Sequence, residues 1–257
     1  MDRAEHLKKQ FNEQFWLPDR GYYAIALDRD KRPVDACASN MGHCLWFGIV
    51  DDDKAPLVVE RLMSPEMFSG WGGIRTLASD MGAYNPASYH NGSVWPPHDN
   101  AIIVMGLVRY GFVEEAQRIA NALLEAAEYS SGRLPELFCG FDRGQVAQPV
   151  PYPTACSPQA WAATAPIALV TSLMRYDAHV SRGGLWLDPA LPESFGQLHI
   201  TNAPPTGRGP ITIDVLGGAD CSVSGLAEGL KLHRGHRPWM TELVDQARQN
   251  TKRMSEG

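Results

Sequence analysis

Glu136 is the residue best placed by its neighbours to do chemistry. It lies in GRLPELFCGF, residues 132–141, after a proline and between apolar side chains. A carboxylate kept partly out of water on a stiff segment can be tuned for general-base work. Taken alone, the same pattern also suits an exposed or capping glutamate.

Three other segments offer side chains that could act with it. YNPASYHNGSVWPPHDN, residues 84–100, gathers Tyr89, His90, Asn91, Ser93, Trp95, His98, Asp99 and Asn100 around Gly92. Donors and acceptors interleaved with aromatics suit a polyhydroxylated ring, because each hydroxyl taken out of water needs a partner. FSGWGGIRTL, residues 68–77, sets glycines around Trp71. Gly72 would let the backbone approach a ligand, the indole would offer a flat apolar face, and Arg75 belongs to the same expected surface. The other reading of Trp71 is a core residue. In PYPTACSPQAW, residues 151–161, Tyr152 and Gln159 could reach the ligand. Trp161 either lines the cleft or fills the core, and the apolar helix after it favours the core. His90, His98 and Asp99 match no familiar metal-ligand spacing, so no metal and no cofactor are expected. Asp99 also suits the N-cap of a helix beginning at Asn100.

The elements that must position these residues read mainly as helices. Asp2 to Trp16 carries Leu7, Phe11 and Phe15 on one helical face. GYYAIALD and RPVDACAS flank a polar turn and predict a short hairpin. Asn40 caps a helix through CLWFGIV, and Asp51 to Asp53 precede a helix over APLVVERLM. Ser64-Pro65-Glu66 opens a further helical turn. After the long connection from Phe68 to Pro97, an apolar helix runs from Asp99 to Tyr110. An amphipathic one then spans Val113 to Tyr129, with Ala116, Ile119, Ala120, Leu123, Leu124 and Ala127 as its stripe. Ser130 to Cys156 is a second long connection. Ser157 and Pro158 start a last helix to about Arg175, apolar on nearly every side and so expected to be buried. Beyond Gly183, the runs LWLDPALP, QLHIT, ITIDVL and CSVSGL predict a small antiparallel appendix. The segment from Trp239 is a polar helix or frayed tail.

Composition excludes several classes. With 257 residues and 44% hydrophobic side chains, the chain can bury a real core. The net charge of −6 with interspersed signs argues against nucleic acid as a partner. Five cysteines, odd in number and without a CxxC pair, read as free thiols in a reducing compartment. No apolar run reaches the length of a membrane span. A soluble, cytoplasmic protein is expected.

Taken together, SNMGHCLW (39–46), FSGWGGIRTL, YNPASYHNGSVWPPHDNA (84–101), LPELFCGF (134–141), YPTACSPQAWAA (152–163) and LWLDPALPESFGQLHI resemble the bacterial amylo-α-1,6-glucosidase-like, or glycogen-debranching-like, proteins. The resemblance implies an (α/α)6 toroid and hydrolysis of α-linked glucosides or oligosaccharides with inversion, using one acid and one base. In related enzymes the base glutamate follows a Tyr-x-x-Gly-x-x-Trp segment, here Tyr89, Gly92 and Trp95, and it maps to Glu136. The implied ligand surface comprises Trp71, Gly72, Arg75, Tyr89, His90, Asn91, Gly92, Trp95, His98, Tyr152 and Gln159. The implied general acid falls upstream of Met1, so the toroid is expected to be incomplete. Residues 1–182 would form the partial toroid, 183–230 a strand appendix packed on it, and 231–257 a polar tail. The missing half or self-association would then cover the exposed helices. Asp80 or Asp99 as the acid, a catalytically inactive carbohydrate-binding fragment, and a toroidal sugar isomerase using His90 and His98 are the alternatives.

Overall fold

The computed structural model describes residues 2–89, 93–179, 183–203, 209–217 and 220–235. The chain divides into two compact units, Met1–Leu173 and Met174–Gly257.

The first unit holds six helices: α1 (Asp2–Gln14), α2 (Asn40–Phe47), α3 (Ala55–Leu62), α4 (Pro97–Arg109), α5 (Val113–Glu128) and α6 (Ala160–Leu173). Short ribbons join them. β1 (Trp16–Leu17) pairs with β2 (Tyr22–Tyr23), β3 (Ala26–Leu27) with β4 (Pro33–Val34), and β5 (Val94–Trp95) with β6 (Phe138–Cys139), all antiparallel.

α4 is the centre of this unit and packs against α2, α5 and α6. Its Ile103, Val104 and Leu107 are fully buried, each contributing about 1.5–3 kcal/mol of burial energy. The crossing with α2 is close because both helices use glycine there. A Cβ on Gly106 would come within 2.8 Å of the Gly42 carbonyl oxygen and 2.7 Å of the Trp46 amide nitrogen. That approach brings His43, next in the chain after Gly42, against the first turn of α4. α5 buries Ala116, Ile119, Ala120 and Leu123 of the expected stripe, together with Ala122 and Ala126, while Leu124 and Ala127 of that stripe are only half-buried.

Several expectations need correction. α4 begins at Pro97 with Pro96 as its N-cap, so Asp99 lies inside the first turn and caps nothing. The turn expected at Ser64-Pro65-Glu66 is a single one, closed by the Met67 and Phe68 amides on the Ser64 carbonyl at 3.0 and 2.8 Å. α6 begins at Ala160, and Gln159 caps it: its Oε1 accepts from the Ala162 amide at 2.7 Å. α6 is also not buried all round. Ala162, Ala165, Leu169 and Leu173 face inward, while Trp161 and Ile167 are 61% and 66% exposed. An apolar composition did not reveal which side lacks a neighbour.

The second unit is built of strands. β7 (Asp177–His179), β8 (Gly184–Leu187) and β12 (Lys231–Arg234) form one sheet in the order β12-β8-β7. β9 (Leu198–Ala203), β10 (Ile211–Gly217) and β11 (Asp220–Ser224) form another, with β10 central. The second sheet is antiparallel, with Ile211, Ile213 and Val215 alternating inward as a half-buried strand requires. The first is mixed, because β8 and β12 run parallel. A parallel partner that returns from far along the chain leaves no hairpin signal between the two strands. β12 occupies the start of the stretch read as a polar tail, and the helix expected from Trp239 lies outside the described residues.

Candidate active site

A three-stranded patch in the first unit positions the site. β5 and β6 pair through Val94 with Cys139 and Trp95 with Phe138. The segment at 150–151 joins on the other side, through a Phe138–Pro151 bridge and a 2.9 Å bond from the Cys139 amide to the Val150 carbonyl. Each member delivers side chains to one place. Tyr89 precedes β5 and His98 and Asp99 follow it. Glu136 precedes β6. Tyr152 and Cys156 follow the third segment.

The patch is rigid because its inner face is core. Trp95 and Phe138 are buried and stack at 4.2 Å, 14° from parallel. Gly140 must be glycine, since a Cβ would overlap the Ser93 carbonyl oxygen. Asn100, fully buried, accepts from the Ile74 amide at 2.6 Å and donates to the Ile74 carbonyl at 3.1 Å. The start of α4 is thereby tied to the glycine-rich segment 68–77.

Glu136 emerges from this frame half-buried, between buried Pro135 and Leu137. The Tyr89 hydroxyl donates to its Oε1 at 2.6 Å and the Cys156 amide to its Oε2 at 3.1 Å. The Glu136 amide in turn donates to the Cys156 carbonyl at 3.0 Å. Tyr89, then the Cys156 amide, hold the carboxyl below the usual carboxylate range, so it is ionised at neutral pH. Accepting contact from Glu136 and partial burial push the Tyr89 phenol up to about 12, so it remains a donor. The Tyr152 hydroxyl accepts from the Tyr89 amide at 3.3 Å, with the two rings 5.8 Å apart.

Beside this carboxylate lies a second polar group. His43 Nε2 is 2.6 Å from Asp99 Oδ1, although the angles there do not make a hydrogen bond. His98 lies within electrostatic reach of Asp99, Glu136 and His43, and burial lowers its pKa against the pull of the two carboxylates. Its ring meets Trp161 at 4.9 Å.

Other residues expected at the ligand surface serve the frame instead. Trp71 is 5% exposed, donates Nε1–H to the Val146 carbonyl at 3.0 Å, and has the Arg143 guanidinium over its ring at 4.1 Å. Trp95 is fully buried. Gly72 makes room for the Trp95 ring rather than for a ligand. Arg75 is also fully buried. It donates to the carbonyls of Gly140, Pro65 and Glu66 and to Asp142 Oδ1. Its guanidinium makes these four hydrogen bonds within the protein and braces the loop that carries Glu136. Gln159 spends its carbonyl on the α6 cap. Asp80 is held by Arg61 at 2.6 Å. His90, Asn91 and Gly92 lie outside the described residues. Among the described residues no group of three or more His, Cys, Asp or Glu side chains could hold a metal ion.

The structure thus brings together Glu136, Tyr89, Tyr152, His98 and Asp99 from the expected set. It adds His43, Cys156 and Trp161. His43 had a signal in the sequence, inside SNMGHCLW beside Gly42. It was invisible as chemistry because only the α2–α4 crossing sets it on Asp99.

Residues 1–142, more than half of the chain, match the family model of the mannosylglycerate hydrolase MGH1-like glycoside hydrolase domain. The chain belongs to this family. Solved structures of similar fold include a sialidase, at 14% identity over 88% of this chain and 22% of that one, with a TM-score of 0.65. A GH78 family rhamnosidase of Bacillus sp. GL1 matches at 12% identity over 93% and 24%, TM-score 0.55. The neutral trehalase Nth1 of Saccharomyces cerevisiae matches at 15% identity over 67% and 30%, TM-score 0.51. At such identities the likeness is one of fold. The chain spans less than a third of each of these proteins. No curated protein sequence matches it. Within the glycoside hydrolase family, Glu136 is a half-buried, ionised carboxylate on a rigid patch, which is the form a base needs before it takes a proton from water.

Proposed function

We propose that this glycoside hydrolase domain carries the base half of an inverting reaction, with Glu136 as the general base. The observation behind this is the Tyr89–Glu136–Cys156 arrangement. Two donors keep the carboxylate charged and fix its direction, and its half-exposed position leaves room for a water. Glu136 would deprotonate that water on the sugar face opposite the leaving oxygen. A general acid about 6.5–9.5 Å away would protonate the leaving group. In this reading the acid comes from polypeptide beyond this chain, within a completed (α/α)6 toroid, and the exposed side of α6 faces the added helices.

The substrate proposed is an α-linked glucoside, of the α-1,6 kind that the resemblance to debranching-like proteins suggests. The family's name favours a second reading, a small α-mannosyl conjugate such as mannosylglycerate. The test is to assay the chain, alone and joined to any polypeptide encoded upstream in frame, on isomaltose-type, maltose-type and mannosylglycerate substrates. The fresh product anomer is read by proton NMR. The expected outcome is a β-configured product and a loss of about 10²–10⁴-fold in rate for Glu136→Gln. Full activity in Glu136→Gln, or an α-configured product, overturns the assignment.

A further inference from the structure

The site contains more unsatisfied polar atoms than a base requires. Asp99 is 9% exposed, and its Oδ2 has no hydrogen-bond partner. His98 Nδ1 and His43 Nε2 are likewise buried atoms without one. A buried carboxylate oxygen left unpaired costs several kcal/mol, and native proteins keep few such atoms. Here three occur among side chains that feel each other's charge, beside Glu136. The Asp99 side chain keeps 12% of its surface open and that of His43 29%, so the group can be reached from outside.

We infer that Asp99, His43 and His98 form a recognition pocket for a hydroxyl group of the bound sugar, with Asp99 as its acceptor rather than as an acid. This rests on the glycosidase reading of the site. A hydroxyl is the complement that this set needs. It can donate its hydrogen to Asp99 Oδ2 and accept from an imidazole N–H at the same time. A neutral ligand also fits the charges already present. Burial keeps His98 uncharged, and His43 already stands against Asp99 Oδ1, so no strong cation is called for. The Trp161 ring beside His98, 61% exposed, supplies an apolar face next to the pocket, where the C–H side of a sugar ring can lie.

The pocket exists because of helix geometry. His98 and Asp99 are consecutive in the first turn of α4, so they point to adjacent sides. His43 reaches Asp99 only because glycine–glycine contact draws α2 onto α4.

The test is binding rather than turnover, on the whole chain at pH 7, with D-glucose, D-mannose and 1-deoxynojirimycin as probes. Carbon–proton NMR of the histidine rings and titration calorimetry supply the readouts. In the wild type, a bound probe should shift the His43 and His98 ring signals. Asp99→Asn and His43→Gln should each weaken binding about tenfold or more, the usual effect of losing a hydrogen bond to a charged group. Glu136→Gln should keep binding of the neutral monosaccharides within about threefold. Thermal melts of each variant check that it folds.

A bound probe that leaves both histidine signals unmoved, or binds a folded Asp99→Asn variant as tightly as the wild type, overturns the pocket and leaves the base assignment standing. Preference for the cationic probe alone, abolished by Asp99→Asn, shows an amine site and overturns the hydroxyl reading. Failure of the wild type to bind any of the three probes counts against both the pocket and the glycosidase reading.

Discussion

The two long connections of the first unit have similar compositions and different uses. Both are rich in glycine, proline and aromatics. Residues 68–97 turn their large side chains inward: Trp71, Arg75 and Trp95 are all buried. Residues 130–156 bury Leu134, Leu137 and Phe138 as well, yet leave Glu136 and Tyr152 half-buried and Cys156 exposed. The first connection is mostly frame and lends Tyr89 to the site, while the second carries the carboxylate that Tyr89 holds. Composition marks a loop as ordered, but the direction of each side chain depends on what stands behind it.

That contrast can be broken by substitution. Trp95→Ala should have the largest effect, a loss of roughly 3–5 kcal/mol seen as an early thermal or denaturant transition, because the stack on Phe138 would be left as a cavity. If Trp95→Ala melts like the wild type and only weakens sugar binding, the frame reading is wrong. Gly140→Ala should cost roughly 1–3 kcal/mol, since the Ser93 carbonyl must move to admit a methyl group. Tyr89→Phe should change stability by no more than about 1 kcal/mol, because the Glu136 carboxylate is half in water.

The informative readout for Tyr89→Phe is pH. The Tyr89 hydroxyl lowers the Glu136 pKa, so its removal should move that titration, followed by carboxyl carbon NMR, to higher pH. A carboxylate whose folded pKa is depressed stabilises the fold above its unfolded pKa and loses that contribution as pH falls through the folded value. The stability gap between wild type and Tyr89→Phe should therefore be present at pH 7 and close as pH falls below the ordinary carboxylate range and through the depressed folded value. A gap that persists there would mean that the phenol serves packing alone. Trp161→Ala should be the mildest in stability, within about 0.5 kcal/mol, while still weakening sugar binding. A large loss of stability there would place Trp161 with the frame.

Much of the helical layout was legible in the sequence. α4 and α5 follow directly from their apolar spacing, and Gly111 stops α4 within two residues of where it was expected to end. Glu136 and Tyr89 were legible as a pair only through the resemblance, since nothing local links residues 47 positions apart. The two-residue strands β5 and β6 were not legible, because alternation needs more than two positions to show. Nor was the burial of Trp71 and Trp95. Glycines beside a tryptophan suit a ligand and a packed indole equally, and only the Trp95 ring over Gly72 decides between them. Arg75 misled for a related reason. A guanidinium in a glycine-rich loop suggests an exposed donor, yet here it is fully buried and its nitrogens bond acceptors inside.

The patch that joins residues 94–95, 138–139 and 150–151 also sets when the site can exist. Tyr89 must wait for Glu136, and the carboxylate then waits for Cys156, 20 residues further on. No short stretch of chain contains the constellation, so it cannot assemble locally ahead of the domain; contacts this distant form only after long loops have closed. On a ribosome or in a refolding experiment, the raised pKa of the Tyr89 phenol would mark arrival at the finished fold. Proteolysis anywhere between the first and third strands would erase the base along with the scaffold.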